Sequence, residues 1–337
     1  MIGANSLRLG TINEEIMKEK RIIAYKGFDK NLCCQRFQYE VGKEYEHLGE
    51  VKCDVSGFHA CINPIDVFAF YHATGNNRFC KVEQYGDTDD ACYESFYSDR
   101  ASSKIAIKEE IGIWGIFKDA LAILTEKERL MSLSHYAKSG AKTVVQEIDQ
   151  KVNLDEDGAL VFSDVDGSTI SSVGWRTRIG STGMFACITS TGGSYIGSTG
   201  RFARIYSHGL RGSVVSSGPV TSILSSGTAD AICSMGEKTS ITSTGDRTAI
   251  FSSGNCSKIY STGCKAKVES IGLDSVVTCL GRESIIKARK GSWITLAEWD
   301  EENYITPLRL RTKYVDNDRI KADTWYTLID GKFCVVE

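Results

Sequence analysis

The sequence predicts a mainly β protein: a small α+β N-terminal domain (1–112), a helical linker (113–155), a parallel β-solenoid shaped as a two-sheet roll with about 18 residues per coil (156–290), and a β-rich C-terminal cap (291–337). Three observations carry this reading. Glycines recur every nine residues from Gly200 to Gly281. Between them, small, β-branched and serine positions alternate with polar ones at the period of a strand. On both sides of the repeat the pattern gives way to segments with other periods.

Composition sets the frame. The 337 residues suit about two domains. The chain holds 32 Gly against 3 Pro, which points to a repeat needing one glycine per unit rather than to disorder. A formal net charge of −3 points neither to nucleic acid nor to a membrane surface. No apolar run approaches a membrane span, and the start lacks the pattern of a signal peptide, so a cytoplasmic location is expected. The 12 cysteines include no CxxC pair and are expected to be buried thiols rather than disulfides.

In the first domain short β-type runs alternate with turns: Ile22–Phe28, Phe37–Val41, Phe79–Gln84 and Lys104–Ile107. One helix is expected at Pro64–Tyr71, with Asn63 as its cap and Pro64 at its first position. From Glu109 to Lys138 the spacing turns helical, with Ile113, Ile116, Phe117, Leu121 and Leu124 on one face and Leu130, Leu133 and Tyr136 after them.

The repeat unit reads G-x-x-small-x-[IV]-x-S-x. Ile205, Val214, Ile223, Ile232, Ile241 and Ile250 occupy the aliphatic column, and Ser207 to Ser270 the serine column. Small, aliphatic and serine columns are two apart, so they share the inner face, and the intervening Arg204, Tyr206, Lys258, Tyr260, Lys267 and Glu269 are expected outside. Counting back from Gly200 gives about fifteen units, seven to eight coils, and a rod on the order of 36 Å long. Inward hydroxyls need partners, which serine ladders or turn backbone could supply. Asp230 is the one charged residue in the small column and is expected at a partly wet corner. The unit length invites comparison with calcium-binding nonapeptide rolls, yet a single Asp cannot supply the six to eight oxygens calcium takes, so no metal is expected.

The C-terminal cap is announced by the aromatic segment Trp293–Trp299, by β-type runs at Leu308–Tyr314 and Thr324–Leu328, and by the hairpin signal Asp330-Gly331. Trp293 and Trp299 are candidate anchors for a homo-oligomer.

Few side chains suggest chemistry. His47, Cys53, His59 and Cys61 are zinc-ligand types, but their spacing matches no standard knuckle. The neighbours Cys33 and Cys34 would need a lowered pKa to react, and only Lys30 and Arg36 stand nearby in sequence. No Walker, Rossmann or serine-hydrolase motif occurs, and no cofactor is expected. Residues 156–290 hold 14 Lys and Arg against 10 Asp and Glu, which argues against DNA mimicry. Arg201, Arg204, Tyr206 and Arg211, with Arg176, Arg178 and Tyr195 nearby, are the candidate partner-binding residues of the rod.

The stretches AYKGFDKNLCCQRFQYEVGKEYE (24–46), SGFHACINPIDVFAFY (56–71) and RFCKVEQYG (78–86), with the ending GSWITLAEWDEEN (291–303) and IKADTWYTLIDGKF (320–333), resemble an uncharacterised domain family of phage and prophage proteins, often followed by Ser/Gly repeats. The resemblance implies a bacterial host cytosol, or a virion, and no activity. Tyr25-Lys26-Gly27 and Gly57-Phe58-His59 are also similar, at the level of fold, to strands that line the dinucleotide site of ADP-ribosyltransferases. That likeness implies Lys26 and His59 as cleft residues and Glu83, Glu109 or Glu110 as the catalytic acid, although Lys26 replaces the usual Arg or His, and Ala60-Cys61 the usual hydroxyl residues. The expectation is a non-enzymatic binding or structural protein of phage or prophage origin, its rod a scaffold or interaction surface, acting against a host defence or within a virion. Another protein is the expected partner, nucleic acid the lesser alternative, and a membrane is not expected. A transferase-like enzyme or nucleotide sensor built on the N-terminal domain is the competing expectation.

Overall fold

In the computed structural model, which describes residues 20–90, 97–133, 142–300 and 306–336, the N-terminal domain is an antiparallel sheet of β1 (Ile22–Phe28), β4 (Glu44–Glu46), β5 (Phe58–Cys61), β6 (Arg78–Asp89) and β7 (Asp99–Glu110), in the order β4-β7-β5-β1-β6. β6 also pairs with β7, so four strands close on themselves around Ala24, Phe28, Cys80, Val82, Ile105 and Ile107. A small hairpin joins β2 (Cys33–Cys34) to β3 (Phe37–Gln38). The expected helix at Pro64 is a 3₁₀ segment, Pro64–Ala69. Asn63 precedes it in an extended conformation without a side-chain capping bond, and its amide points instead to Asp66 (3.4 Å).

The solenoid has eighteen strands, from Lys142–Val145 to Trp293–Trp299, and so nine coils. Two strands precede the fifteen predicted units and one follows them; the coils therefore begin within the stretch expected as linker. The extra strands escape the motif because the serine column turns apolar at the ends: Val145 and Leu154 at the start, Cys279, Ala288 and Leu296 at the finish. Apolar ends keep water from the terminal coils. Consecutive strands alternate between two parallel sheets, and the aliphatic column forms one continuous file inside, from Val152 to Ile294.

The repeat glycines are not the turn residues with left-handed backbone. That conformation falls two positions later, on Val220 (φ 58°), Lys238 (55°), Cys256 (56°) and their equivalents. The glycines stack instead. A Cβ on Gly236 would lie 2.1 Å from the Gly218 carbonyl oxygen one coil back, and Gly254 meets Gly236 in the same way. Glycine is thus required by the close approach of successive turns. The small column is satisfied by the same turns: Thr221, Thr239, Thr248 and Ser257 donate to the carbonyl of the glycine three residues before, at 2.7–2.8 Å.

The two sheets have different surroundings. One is open on its outer face; in it Arg204, Tyr206, Lys258 and Tyr260 point outward, as expected. The other is covered by α1 (Gly112–Leu124) and α2 (Lys127–Ser132). Many of its outward residues, such as Phe162, Gly180, Val215 and Phe251, are apolar or small, and Glu269, expected in solvent, is buried. Ile116, Phe117, Leu121 and Leu124 join Tyr25, Phe68 and Phe79 of the first domain to Leu160, Phe162, Val215, Cys233 and Phe251 of the rod in one apolar cluster. The helices therefore weld the domain to the rod along this sheet. Tyr136 lies outside the described residues.

At the far end Trp293–Trp299 pairs with the antiparallel strand Pro307–Tyr314, extending the open sheet. The hairpin Trp325–Ile329 with Lys332–Val335 extends the covered sheet, turning at Asp330 (φ 51°) and Gly331 (φ 71°), the pair of left-handed residues a two-residue hairpin needs. Trp299 donates its indole N–H to the Leu280 carbonyl (2.8 Å), and Trp293 packs on Tyr314 while half exposed. No helix among the described residues is long and apolar enough to cross a membrane.

Candidate functional site

β1 and β5 lie side by side, with Tyr25 opposite Cys61, and their ends open onto a cleft of about 320 Å3. Lys26, His59, Asp54, Asp99, Phe70 and Tyr71 are on its walls. Gly27 makes the cleft possible at one edge: a Cβ there would fall 2.5–2.9 Å from the Tyr71 ring, which lies against bare backbone. Gly57 (φ 92°) turns the chain into β5, with the Ser102 carbonyl 3.0 Å from where a Cβ would stand.

Lys26 is 6% exposed, and its ammonium donates to the His59 carbonyl oxygen at 2.7 Å. Among the described residues no carboxylate stands within ion-pair distance of it. The rings of Phe28 and Tyr39 lie 5.7 and 5.6 Å from the nitrogen, within reach of a cation–π attraction. His59 accepts the Asp54 backbone N–H on Nε2 (2.9 Å). Burial first, and then the nearby Lys26 charge, hold its imidazole below the ordinary range, so it is neutral at neutral pH. Burial pushes the Cys61 thiol well up, which leaves it unreactive. Tyr25 reaches from the cleft strand to α1, donating to Asp119 at 3.0 Å.

The structure thus brings Lys26 and His59 together and leaves Glu83, Glu109 and Glu110 outside the cleft. Glu83 is held by Arg21 (3.1 Å) and Lys108 (3.5 Å), and Glu110 by both arms of Arg78 (2.8 and 2.6 Å). Neither lines the cleft. The carboxylates that do are Asp54 and Asp99, which come from a turn and from the start of β7.

The expected zinc-type residues do not converge. Among the described residues only Cys53, Asp54 and Asp99 bring ligand atoms within 4.8 Å of one another. Cys53 is disulfide-bonded, contrary to the expectation of free thiols throughout, and its sulfur is not available to a metal. The remaining described cysteines are free. Cys92 lies outside the described residues. Asp230 is buried rather than at a wet corner. The Gly212 N–H (2.7 Å) and the hydroxyls of Ser225 (2.6 Å) and Ser207 (3.4 Å) donate to it, and burial pushes its carboxyl up to about 7.

The four arginine and tyrosine candidates of the rod separate. Arg204 and Tyr206 stand on the open sheet. Arg201 sits on one turn edge with its guanidinium 4.6 Å from the Phe202 ring centre. Arg211 lies on the opposite edge, where the rod meets the N-terminal domain. Their neighbours are committed to that junction: Arg176 stacks 3.8 Å over Tyr97, and Arg178 is wholly buried beside Asp66.

Residues 22–119 match the model of a family described as Domain of unknown function (DUF7666). The match runs from the first residue of β1 into α1, so it takes in the closed sheet, the cleft and most of the helix that docks them to the rod. No curated protein and no solved structure matches the chain.

Proposed function

We propose that the chain is a non-enzymatic binding protein whose N-terminal cleft takes a small ligand combining a flat ring with an anionic group, while the solenoid is the rigid platform that presents the loaded domain to a protein partner. Lys26 carries this reading. A buried ammonium without a carboxylate costs several kcal/mol. One carbonyl bond uses one of its three donors, and an anion in the cleft would offset the remaining cost. The walls, Tyr71, Phe70 and the neutral His59 ring, suit stacking on a flat ring. The shared core of domain, helices and rod supports the platform role, since a domain welded along a sheet cannot swing freely. The resemblance to phage and prophage proteins supports a setting in the bacterial cytosol or a virion, with a host or virion protein as the partner.

The test is a thermal-shift screen of the full chain with mononucleotides, cyclic dinucleotides, NAD and ADP-ribose, repeated on Lys26→Met. A ligand at about 100 times its dissociation constant raises stability by about 2.7 kcal/mol, a shift of several degrees. A shift present in the wild type and lost in Lys26→Met is expected. No shift with any of these compounds, or one that survives the substitution, sets the cleft reading aside.

A further inference from the structure

A groove separate from the cleft stands where the N-terminal domain meets the edge of the rod. We propose that the groove of about 340 Å3 between the 72–74 segment and the turns at Arg211 and Arg247 binds a phosphoryl oxyanion, free or as the phosphate of a larger ligand. Arg211 and Arg247 occupy the same turn position two coils apart, and both are left-handed (φ 57° and 55°), so one backbone geometry sets both side chains on the rim. Two coils separate their Cα atoms by about 9.6 Å. The intervening position is Ala229 (φ 62°), a short, uncharged residue between the two arginines on the groove wall.

Charge distinguishes these two arginines from their neighbours. Further along the same edge Lys265 and Arg282 both pair with Glu283 (3.2 and 3.4 Å). Among the described residues no carboxylate pairs with Arg211 or Arg247. Asp230, which also lines the groove, accepts the Gly212 N–H (2.7 Å) and the Ser225 hydroxyl (2.6 Å), and Asp246, beside Arg247 in sequence, accepts the Cys264 N–H (2.7 Å). The facing wall supplies His72 and Thr74. That wall is tied in place, because the Lys267 ammonium bridges the Thr74 and Gly75 carbonyl oxygens (3.4 Å each) from the covered sheet. Two arginines flanking an alanine on the wall of one groove suit phosphate, which guanidinium forks can hold by paired hydrogen bonds.

The experiment is calorimetric titration of the full chain with inorganic phosphate, and separately with adenosine monophosphate, at fixed ionic strength. Wild type, Arg211→Gln, Arg247→Gln, Arg201→Gln and Lys26→Met are compared. Saturable phosphate binding is expected, weakened about tenfold or more by either Arg211→Gln or Arg247→Gln and unchanged in Arg201→Gln. Binding of the nucleotide alone, with the same dependence, identifies the phosphate of a larger ligand as the occupant. No saturable binding of either compound overturns the proposal. Binding that survives both groove substitutions also overturns it, and its loss in Lys26→Met would assign the anion to the cleft.

Discussion

The Asp66 carboxylate and the Arg178 guanidinium stand 3.8 Å apart across the junction of domain and rod, and neither side chain is exposed to solvent. Asp66 comes from the 3₁₀ segment that walls the cleft and also accepts the Ser98 N–H (2.8 Å) and hydroxyl (2.6 Å). Arg178 comes from the covered sheet. One buried charge pair therefore ties the cleft wall to the solenoid. Arg178→Ala leaves Asp66 buried without its counter-charge and is expected to destabilise the chain by about 3–5 kcal/mol. The double change Asp66→Asn with Arg178→Met removes both charges and should recover much of that loss. Urea unfolding of the three proteins checks the order.

Gly180 and Gly197 lie on adjacent strands of the covered sheet, beneath α1. A Cβ on Gly180 would fall 1.7 Å from the Leu124 carbonyl oxygen, and one on Gly197 2.5 Å from the Leu124 side chain. Gly180→Val is expected to lift the end of α1 and cost at least about 2 kcal/mol. Faster hydrogen exchange across 112–124, with the distant coils still protected, would report it. Unchanged exchange there would contradict the packing described.

Each turn makes opposite demands at two positions. Gly236→Ala forces a methyl onto the Gly218 carbonyl and should cost more than about 2 kcal/mol. Lys238→Gly, two residues on, relieves about 1–2 kcal/mol of left-handed strain. The looser unfolded chain offsets part of that gain, so it should be neutral to mildly stabilising. Midpoints of thermal unfolding that reverse this order would show that glycine serves the turn rather than the stacking.

Asp230 gives the rod a pH dependence. Its folded pKa of about 7 lies above the ordinary 3.8, so the folded chain holds the proton more tightly than the unfolded one. Its contribution to stability is complete below pH 3.8, fades as pH rises, and is lost above about 7. The span corresponds to something on the order of 4 kcal/mol. Asp230→Thr, which restores the residue found at Thr221, Thr239 and Thr248, should stabilise the chain most above pH 7 and little at pH 4. Equal stabilisation at both pH values would mean that the carboxyl is not titrating in this range.

The nine-residue motif made the strand columns and the continuous core legible, because one pattern serves every inward position. It hid the difference between the sheets. The coil repeats every eighteen residues, as Ala249 opposite Lys267 shows, and the outward residues follow that longer period. Phe162, Gly180, Gly197, Val215, Cys233 and Phe251 fall on the covered sheet; Ser171, Thr189, Tyr206, Leu224, Thr242 and Tyr260 fall on the open one. Reading alternate repeats separately would have revealed a docking face. At the cleft, Lys26 and His59 are readable from the short strand motifs around them. Asp54, Tyr71 and Asp99 are not, since they are brought in from distant loops and strand ends that carry no periodic mark.

The stacking of glycine on glycine also decides how such a rod can change length. α1 and α2 rest on the early and middle coils, so a tandem copy of residues 263–280 would slip in beyond them and carry the C-terminal hairpin about 4.8 Å further away. A nine-residue insertion at the same place would exchange the two sheets downstream and swing the hairpin to the opposite side. The reach of this protein from cleft to tip is thus quantised: it grows in whole coils or not at all.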